Sequence, residues 1–201
     1  MQILRTIQNF LLGIVFLVIS LPLQILLGLI LTIEIKEFPI FIQDRGLTLT
    51  NGRFKMIKFR TIKSANRNNL SIKTDFLVPT DEKNISTFAG FLRRTGLDEL
   101  PQLFHVITGQ MEIVGPRPLM VPDIEFIKNN FPDFYSERNS FKVKPGITGL
   151  WQLYGDKNSG VVDLLKFDID YEKNHSAVLD LKIIFISFLY VLQGVAKSKK
   201  M

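Results

Sequence analysis

The sequence contains no cysteine among its 201 residues. Disulfide bridges and cysteine–zinc sites are therefore excluded, and a small secreted scaffold held by disulfides is disfavoured. There are two histidines, His105 and His175, and neither has a partner at metal-ligand spacing. The sequence also lacks P-loop, dinucleotide-binding and serine-hydrolase signatures. Internal repeats and low-complexity tracts are missing as well.

Basic residues outnumber acidic ones, 25 to 19, which gives a net charge of +6. Such an excess suits an anionic partner, for example lipid headgroups, a nucleotide or nucleic acid. The length fits one globular domain with an appendage. Apolar residues, 46% of the total, concentrate near the two ends of the chain and leave a more polar middle.

The N-terminal apolar run has no charged side chain from Phe10 to Ile33. At about 1.5 Å per residue, a continuous helix of this length could cross a hydrocarbon core of roughly 30 Å. A signal peptide is disfavoured because the run is long and no small-x-small cleavage site follows it. A single-pass anchor is one interpretation of this run.

A bent, re-entrant segment is the other interpretation. Pro22 removes one backbone hydrogen bond, and Ser20 can bond back to backbone carbonyls. Two half-helices would then enter and leave the same membrane face, with Arg5 and Lys36 both near headgroups. Composition alone leaves both topologies open, because proline kinks also occur in spanning helices.

The polar middle begins with two predicted strands, Phe38–Gln43 and Phe54–Phe59, separated by a turn at Asn51-Gly52. Seven basic residues and one acidic residue lie between positions 43 and 67. For most of these basic residues we predict a solvated or headgroup-facing surface. Lys58 and Arg60 are the exception, because they flank an aromatic residue in an arrangement suited to phosphate. A polar stretch over residues 66–84 predicts a surface loop.

Residues 86–94 have a helical pattern, and a second helical pattern ends at Gly109. Asp98 falls at or just before the start of the second helix, so Asp98 can be an N-cap and Glu99 a favourable first-turn charge. The same position allows chemistry, since helix starts attract phosphate and Arg93 adds a cation upstream. Successive helical residues diverge by about 100°, so the two carboxylates would have different roles.

Gly115-Pro116-Arg117-Pro118 follows a strand-like segment, Met111–Val114. The two prolines stiffen the backbone around Arg117, which favours the binding of an anion; a surface turn is the alternative. Pro145–Gln152 reads as a tight loop that either approaches a ligand or simply turns.

The C-terminal segment Ala177–Val195 is apolar but interrupted by Asp180 and Lys182. It predicts a helix that packs on the domain or lies in the membrane interface, and a buried core helix fits equally well. The basic residues Lys197, Lys199 and Lys200 follow as a tail suited to anionic headgroups.

Taken in order, these motifs resemble the bacterial sugar transferases, and specifically the minimal monotopic phosphoglycosyl transferases. The resemblance rests on the following segments: residues 58–61, 93–104, 115–118, 145–152 and 168–180. It implies a small mixed α/β catalytic domain (residues 38–201) with interfacial amphipathic helices, and a re-entrant membrane helix (residues 1–37) that breaks at Ser20 and Pro22. The family has serine directly before proline, whereas Leu21 intervenes here.

The resemblance also implies a reaction, the transfer of sugar-1-phosphate from a UDP-sugar to polyprenyl (undecaprenyl) phosphate with release of UMP. Asp98 would be the nucleophile that forms a phosphosugar-aspartate, and Glu99 would help to hold Mg²⁺ or position the acceptor phosphate. Arg93 and Arg117 match phosphate-binding positions. Asp168 matches an acidic position of open role.

The expected setting is the cytoplasmic face of a bacterial inner membrane, at the first membrane step of capsule, O-antigen, exopolysaccharide or glycoprotein assembly. Membrane lipids are expected partners, a homodimer remains open, and nucleic acid is not expected. The rival interpretation is a non-catalytic membrane adaptor that binds anionic lipid. The carboxylates Asp98 and Glu99 argue against it, since an adaptor has no need of them in a basic site.

Overall fold

A computed structural model of the chain describes residues 2–63, 85–156 and 160–193. The polar segment and the basic tail predicted from the sequence lie outside these residues. The described part has the expected mixed α/β architecture, with a long apolar N-terminal helix and small sheets.

The elements follow one another along the chain in this order: α1 Gln2–Ile35, β1 Ile40–Gly46, β2 Phe54–Phe59, α2 Thr87–Thr95, a 3-10 helix Leu97–Gln102, α3 Leu103–Ile107, β3 Glu112–Val114, β4 Leu119–Met120, α4 Val121–Asn130, α5 Pro132–Asn139, β5 Gly146–Thr148, α6 Leu150–Tyr154, α7 Gly160–Asn174 and α8 Ala177–Leu192.

Two small sheets organise the domain. Strands β2, β1 and β4 form an antiparallel sheet in that order, and β3 pairs with β5 in parallel. The predicted hairpin is confirmed, with Gly52 at φ 61° in the turn, a conformation that glycine adopts without strain. Gly109 at φ 73° ends the α3 region as predicted.

The segment Pro145–Gln152 is not the simple loop that the sequence suggested. It forms β5 and α6. A side chain on Gly146 or Gly149 would collide with the main chain of Gly115, so these glycines allow two backbones to approach each other. The glycines therefore serve backbone packing, and Gly146 and Ile147 also line the cleft described below.

Helix α1 contacts the domain at both of its ends. Near its start, Arg5 Nη2 lies 2.6 Å from Glu112 Oε2, and Ile113 N donates to Asn9 Oδ1 over 3.0 Å. Near its end, Leu27 and Leu31 are buried in a cluster with the second strand and α2, and burying such side chains contributes about 1.5–3 kcal/mol each. Residues 17–26, between these contacts, include no buried residue.

The expected break at Ser20 and Pro22 is not a break in the helix, because α1 runs through Pro22 without interruption. A proline removes one hydrogen bond but need not end a helix. Ser20 Oγ donates to Phe16 O over 2.6 Å, as predicted for this residue, and accepts from Gln24 Nε2 over 2.9 Å. The re-entrant topology remains a prediction.

Two helices expose long apolar faces. Within the described residues, α1 is the one helix long and apolar enough to cross a membrane by length and composition. Helix α8 packs on the domain with Ile183 buried and Thr148 hydrogen-bonded to Ser187, so it is not a buried core helix. Its outer face leaves Phe185 and Phe188 more than half exposed. Packing of α8 on the domain is thus confirmed, and its place in a membrane interface stays a prediction.

Candidate active site

The carboxylates Asp98 and Glu99 lie in the first turn of the 3-10 helix, which begins one residue earlier than expected. The N-cap is Gly96, at φ 74°, and it provides no side-chain hydrogen bond. The interpretation of Asp98 as an N-cap is therefore wrong, because the left-handed conformation at Gly96 starts the turn instead. With three residues per turn, the two side chains diverge by about 120°. Asp98 is buried, whereas Glu99 is partly exposed.

Glu99 opens onto a small cleft beside the hairpin. The polar residues that line this cleft are Arg45, Lys58, Glu99, Gln102 and Arg117. Arg117 Nη1 lies 4.0 Å from Glu99 Oε1. Three cations around one carboxylate create a strongly positive cleft, which suits a ligand with several negative charges.

The pKa of Lys58 is strongly affected by this setting. Burial, the largest cause, and the nearby Arg45 and Arg93 lower its pKa to about 8, against the opposing effect of Asp98 and Glu99. A lysine whose pKa is lowered towards neutral pH in a charged cleft is characteristic of a functional site. Lys58, predicted from the sequence to bind phosphate, thus lies in the basic cleft beside Glu99.

Arg45 is a cleft residue that the sequence interpretation missed. It was grouped with the solvated basic residues, but it is buried, and burial together with Arg117 lowers its pKa to about 10. In the hairpin, Phe41 lies directly opposite Lys58, and Arg45 lies directly opposite Phe54. Alternation along the two strands therefore places Arg45 on the same face as Lys58. That period of two was the signal that could have found it.

Arg93 and Arg60 are placed differently from one another. Arg93 is close enough to influence the pKa of Lys58, and its Nη1 lies 3.5 Å from Thr61 Oγ1. Arg60 Nε donates to Phe38 O over 2.9 Å and its Nη1 lies 3.4 Å from Glu37. The structure thus brings Arg93 to the rim of the site, while Arg60 joins the connection between α1 and β1.

The segment Gly115-Pro116-Arg117-Pro118 is not a surface turn. Three of its residues are buried, and Arg117 is partly exposed. Gly146 N donates to Pro116 O over 2.9 Å, and Arg45 Nη1 donates to Pro118 O over 3.3 Å. The backbone around Arg117 is therefore held by tertiary hydrogen bonds in addition to its prolines.

A buried ion pair lies behind this segment. Arg138 in α5 pairs with Asp168 in α7, and both are almost fully buried. Arg138 also donates to Arg117 O and, over 2.8 Å, to Leu47 O. Burial raises the pKa of the Asp168 carboxyl, which Arg138 and a hydrogen bond from the Arg117 main chain oppose. Sequence analysis did not identify Arg138, since nothing local distinguishes it from a surface arginine.

His105 has a structural role. His105 Nε2 accepts from Ile57 N over 3.0 Å, and its Nδ1 lies 2.7 Å from Gln110 Oε1. Burial lowers the pKa of His105. The histidine therefore links α3 to β2 as a neutral side chain.

A divalent cation fits the donor set of the cleft only together with substrate. Across residues 2–63, 85–156 and 160–193, no group of three or more acidic or histidine side chains could hold a metal ion by itself. Mg²⁺ typically binds one or two carboxylates and completes its shell with water and substrate phosphates. Asp98 and Glu99, at the edge of a basic cleft, have the right chemistry for that arrangement.

Comparison with known proteins decides the family. The model of the bacterial sugar transferase family matches residues 1–194. The chain belongs to the bacterial sugar transferase family. Membership of this family favours an enzyme and disfavours the interpretation as a non-catalytic adaptor.

Several relatives of this sugar transferase carry more specific names. This chain is 38% identical to an undecaprenyl-phosphate galactose phosphotransferase of Salmonella typhimurium, over 59% of this chain and 24% of the relative. It is 33% identical to a UDP-glucose:undecaprenyl-phosphate glucose-1-phosphate transferase of Xanthomonas campestris, over 77% of this chain and 32% of the relative. The exopolysaccharide production protein ExoY of Sinorhizobium fredii is 31% identical, over 73% of this chain and 67% of the relative.

The chain spans about a third of the length of several curated relatives that it matches. ExoY, of which it covers 67%, is closer to it in extent. The similarity therefore concerns the sugar transferase region that these proteins share.

Proposed function

We propose that this sugar transferase moves a sugar-1-phosphate from a UDP-sugar to undecaprenyl phosphate, in the assembly of a bacterial polysaccharide or glycoprotein. The observation that carries the proposal is the cleft in which Arg45, Lys58 and Arg117 surround Glu99 beside the buried Asp98. Both substrates are anions, and a basic cleft with a carboxylate at its edge can bind a diphosphate and supply a nucleophile. The name of the Xanthomonas relative contains both UDP-glucose and undecaprenyl phosphate, and that of the Salmonella relative contains undecaprenyl phosphate, which supports the same substrates here.

The reaction proceeds in two displacements. An Asp98 carboxylate oxygen attacks the sugar-bearing phosphorus, a new O–P bond forms, and the bond from that phosphorus to the bridging oxygen breaks to release UMP. A phosphate oxygen of the acceptor then attacks the phosphosugar-aspartate and regenerates the free Asp98 carboxylate. The side chains of Asp98 and Glu99 diverge by about 120°, and Glu99 faces Arg117, which supports separate roles for the two carboxylates.

The cations of the cleft bind and orient the donor. Lys58, Arg45 and Arg117 line the cleft together with Glu99, so a bound diphosphate would meet three cations there. Asp98 and Glu99 would hold Mg²⁺, and a bound Mg²⁺ would supply positive charge that neutralises the diphosphate and the departing phosphate. Arg93, next to Thr61, adds positive charge on the Lys58 side.

The membrane setting follows from the helices. Protein contacts near Arg5 and near Leu31 anchor both ends of α1 to the same domain. The ten residues between the contacting parts, 17–26, would span about 15 Å as a helix, about half of a hydrocarbon core. This supports a helix that dips into the cytoplasmic leaflet and returns, with the exposed face of α8 lying in the same interface.

Release of UMP by the detergent-solubilised protein tests the proposal. The protein is incubated with Mg²⁺, undecaprenyl phosphate and a panel of UDP-sugars. Without acceptor, a donor labelled in its sugar should label the protein with about one sugar phosphate per active site and release an equal amount of UMP. Asp98→Asn should abolish both signals.

Asp133→Asn is the matched control, because Asp133 is an exposed aspartate on α5, and we expect it to behave as the unsubstituted protein. Absence of UMP with every donor would refute the proposed transfer. Full activity of Asp98→Asn would refute the covalent step, even if the transfer itself is observed.

A further inference from the structure

The main chain of Arg117 is bound by a buried ion pair that the reaction described above does not use. Asp168 accepts a hydrogen bond from the Arg117 N–H, and Arg138 donates to the Arg117 carbonyl. The two partners also bind each other. Both polar main-chain groups of one cleft residue are thus bound by the two members of a single ion pair.

The surroundings make this arrangement specific to Arg117. Arg138 and Asp168 belong to α5 and α7, and Arg138 also binds the Leu47 carbonyl. Three distant parts of the chain therefore meet behind the Arg117 segment. A buried ion pair of this kind seldom stabilises a fold more than well-packed apolar side chains would, so stability alone does not account for it.

On its other side, the Arg117 side chain lies against Trp151. The guanidinium carbon is 5.6 Å from the centre of the Trp151 ring, and Nη1 is 4.0 Å from Glu99 Oε1. The contact with Trp151 restricts the Arg117 side chain, and the ion pair restricts its backbone. Little conformational freedom would be left for Arg117 to lose on binding an anion.

We propose that Arg138 and Asp168 are positioning residues, which bind the Arg117 main chain and thereby aim its guanidinium at the donor phosphates. This inference rests on the proposed function for the ligand, but the positioning itself can be measured without activity. It assigns a role to Asp168, and it adds Arg138, which no local sequence signal distinguishes.

Hydrogen exchange at the Arg117 amide tests the positioning directly. Pro116 and Pro118 have no N–H, so Arg117 contributes the one exchangeable amide between Gly115 and Leu119. Asp168→Asn should speed its exchange by about tenfold or more, since the charged acceptor is lost. Glu172→Gln is the matched control: Glu172 lies one turn further along α7 and accepts from Lys142 N and Val143 N instead. It should leave Arg117 exchange unchanged.

Steady-state kinetics tests the consequence. Arg117→Ala should lower kcat/KM for the donor by roughly 100-fold, as expected when a charged hydrogen-bond donor is removed. Asp168→Asn should produce a loss of the same order, mainly through KM, and the two changes together should cost no more than Arg117→Ala alone. Losses that multiply would overturn the proposal, as would unchanged Arg117 exchange.

Asp168→Asn leaves Arg138 charged and buried, which endangers folding. The double variant Arg138→Met with Asp168→Leu avoids this and should show the same exchange and kinetic changes. If the unsubstituted protein releases no UMP, the proposed function fails. The exchange experiment then still decides, by itself, whether the pair positions Arg117.

Discussion

Replacing Lys58 by methionine should stabilise the protein at neutral pH and lower its activity at the same time. Burial lowers the pKa of Lys58 from its ordinary 10.5 to about 8, so the folded state disfavours the charged form. A difference of that size corresponds to roughly 3 kcal/mol. Methionine has a similar length and no charge, so Lys58→Met should recover up to that amount.

The pH dependence of the gain follows from proton binding. Below pH 8 Lys58 is protonated in both the folded and the unfolded state, so the full cost is present and the variant gains most. Between pH 8 and 10.5 the unfolded state binds more protons than the folded state, so the unsubstituted protein becomes more stable as the pH rises. The advantage of Lys58→Met should therefore shrink over this range.

Chemical denaturation in detergent micelles from pH 6.5 to 10, compared between the two proteins, measures this difference. Taking the difference cancels the titration of Arg45, which has a pKa of about 10. Lys55→Met, an exposed substitution on the same strand, should change stability by less than about 0.5 kcal/mol at any pH. Donor kcat/KM should fall by about 100-fold in Lys58→Met. A destabilised variant at pH 7, or a gain that does not change with pH, would refute the reasoning.

Three further outcomes are expected. Gly146→Ala should destabilise the protein by about 3 kcal/mol or more, measured by urea unfolding, because its Cβ would collide with the Gly115 backbone. Arg5→Ala should cost roughly 3 kcal/mol and expose the start of α1 to proteolysis, since it leaves Glu112 buried without its cation; an unchanged cleavage rate would contradict this. Arg45→Ala should lower donor kcat/KM by about 100-fold. Arg60→Ala should change it by less than about threefold, because the Arg60 side chain contacts the α1–β1 connection. Equal losses in the two variants would show that the assignment of Arg45 but not Arg60 to the cleft is wrong.

The elements with strong periodicity were the ones that the sequence predicted well. The β1–β2 hairpin, helix α2 and the end of the α3 region at Gly109 lie where alternation, helical spacing and glycine indicated. Each depends on residues close together in the chain, so local pattern is sufficient. The start of the helix at Asp98 was misjudged, because the left-handed Gly96 is a conformational choice that the residue type permits but does not require.

The sequence by itself determined which chemical groups this sugar transferase has: no thiols, an adjacent carboxylate pair, an excess of cations and an apolar N-terminal run. It could not tell which cations share a cleft, because that depends on the pairing of β1 with β2 and on where α5 and α7 pack. Arg45 and Arg60 are both arginines of the same basic stretch, yet in the folded chain Arg45 lines the cleft and Arg60 pairs with Glu37. Only tertiary structure brings Arg138, Asp168 and Arg117 together across 21 to 51 residues of chain, since the burial of an ion pair is a property of packing and not of local sequence.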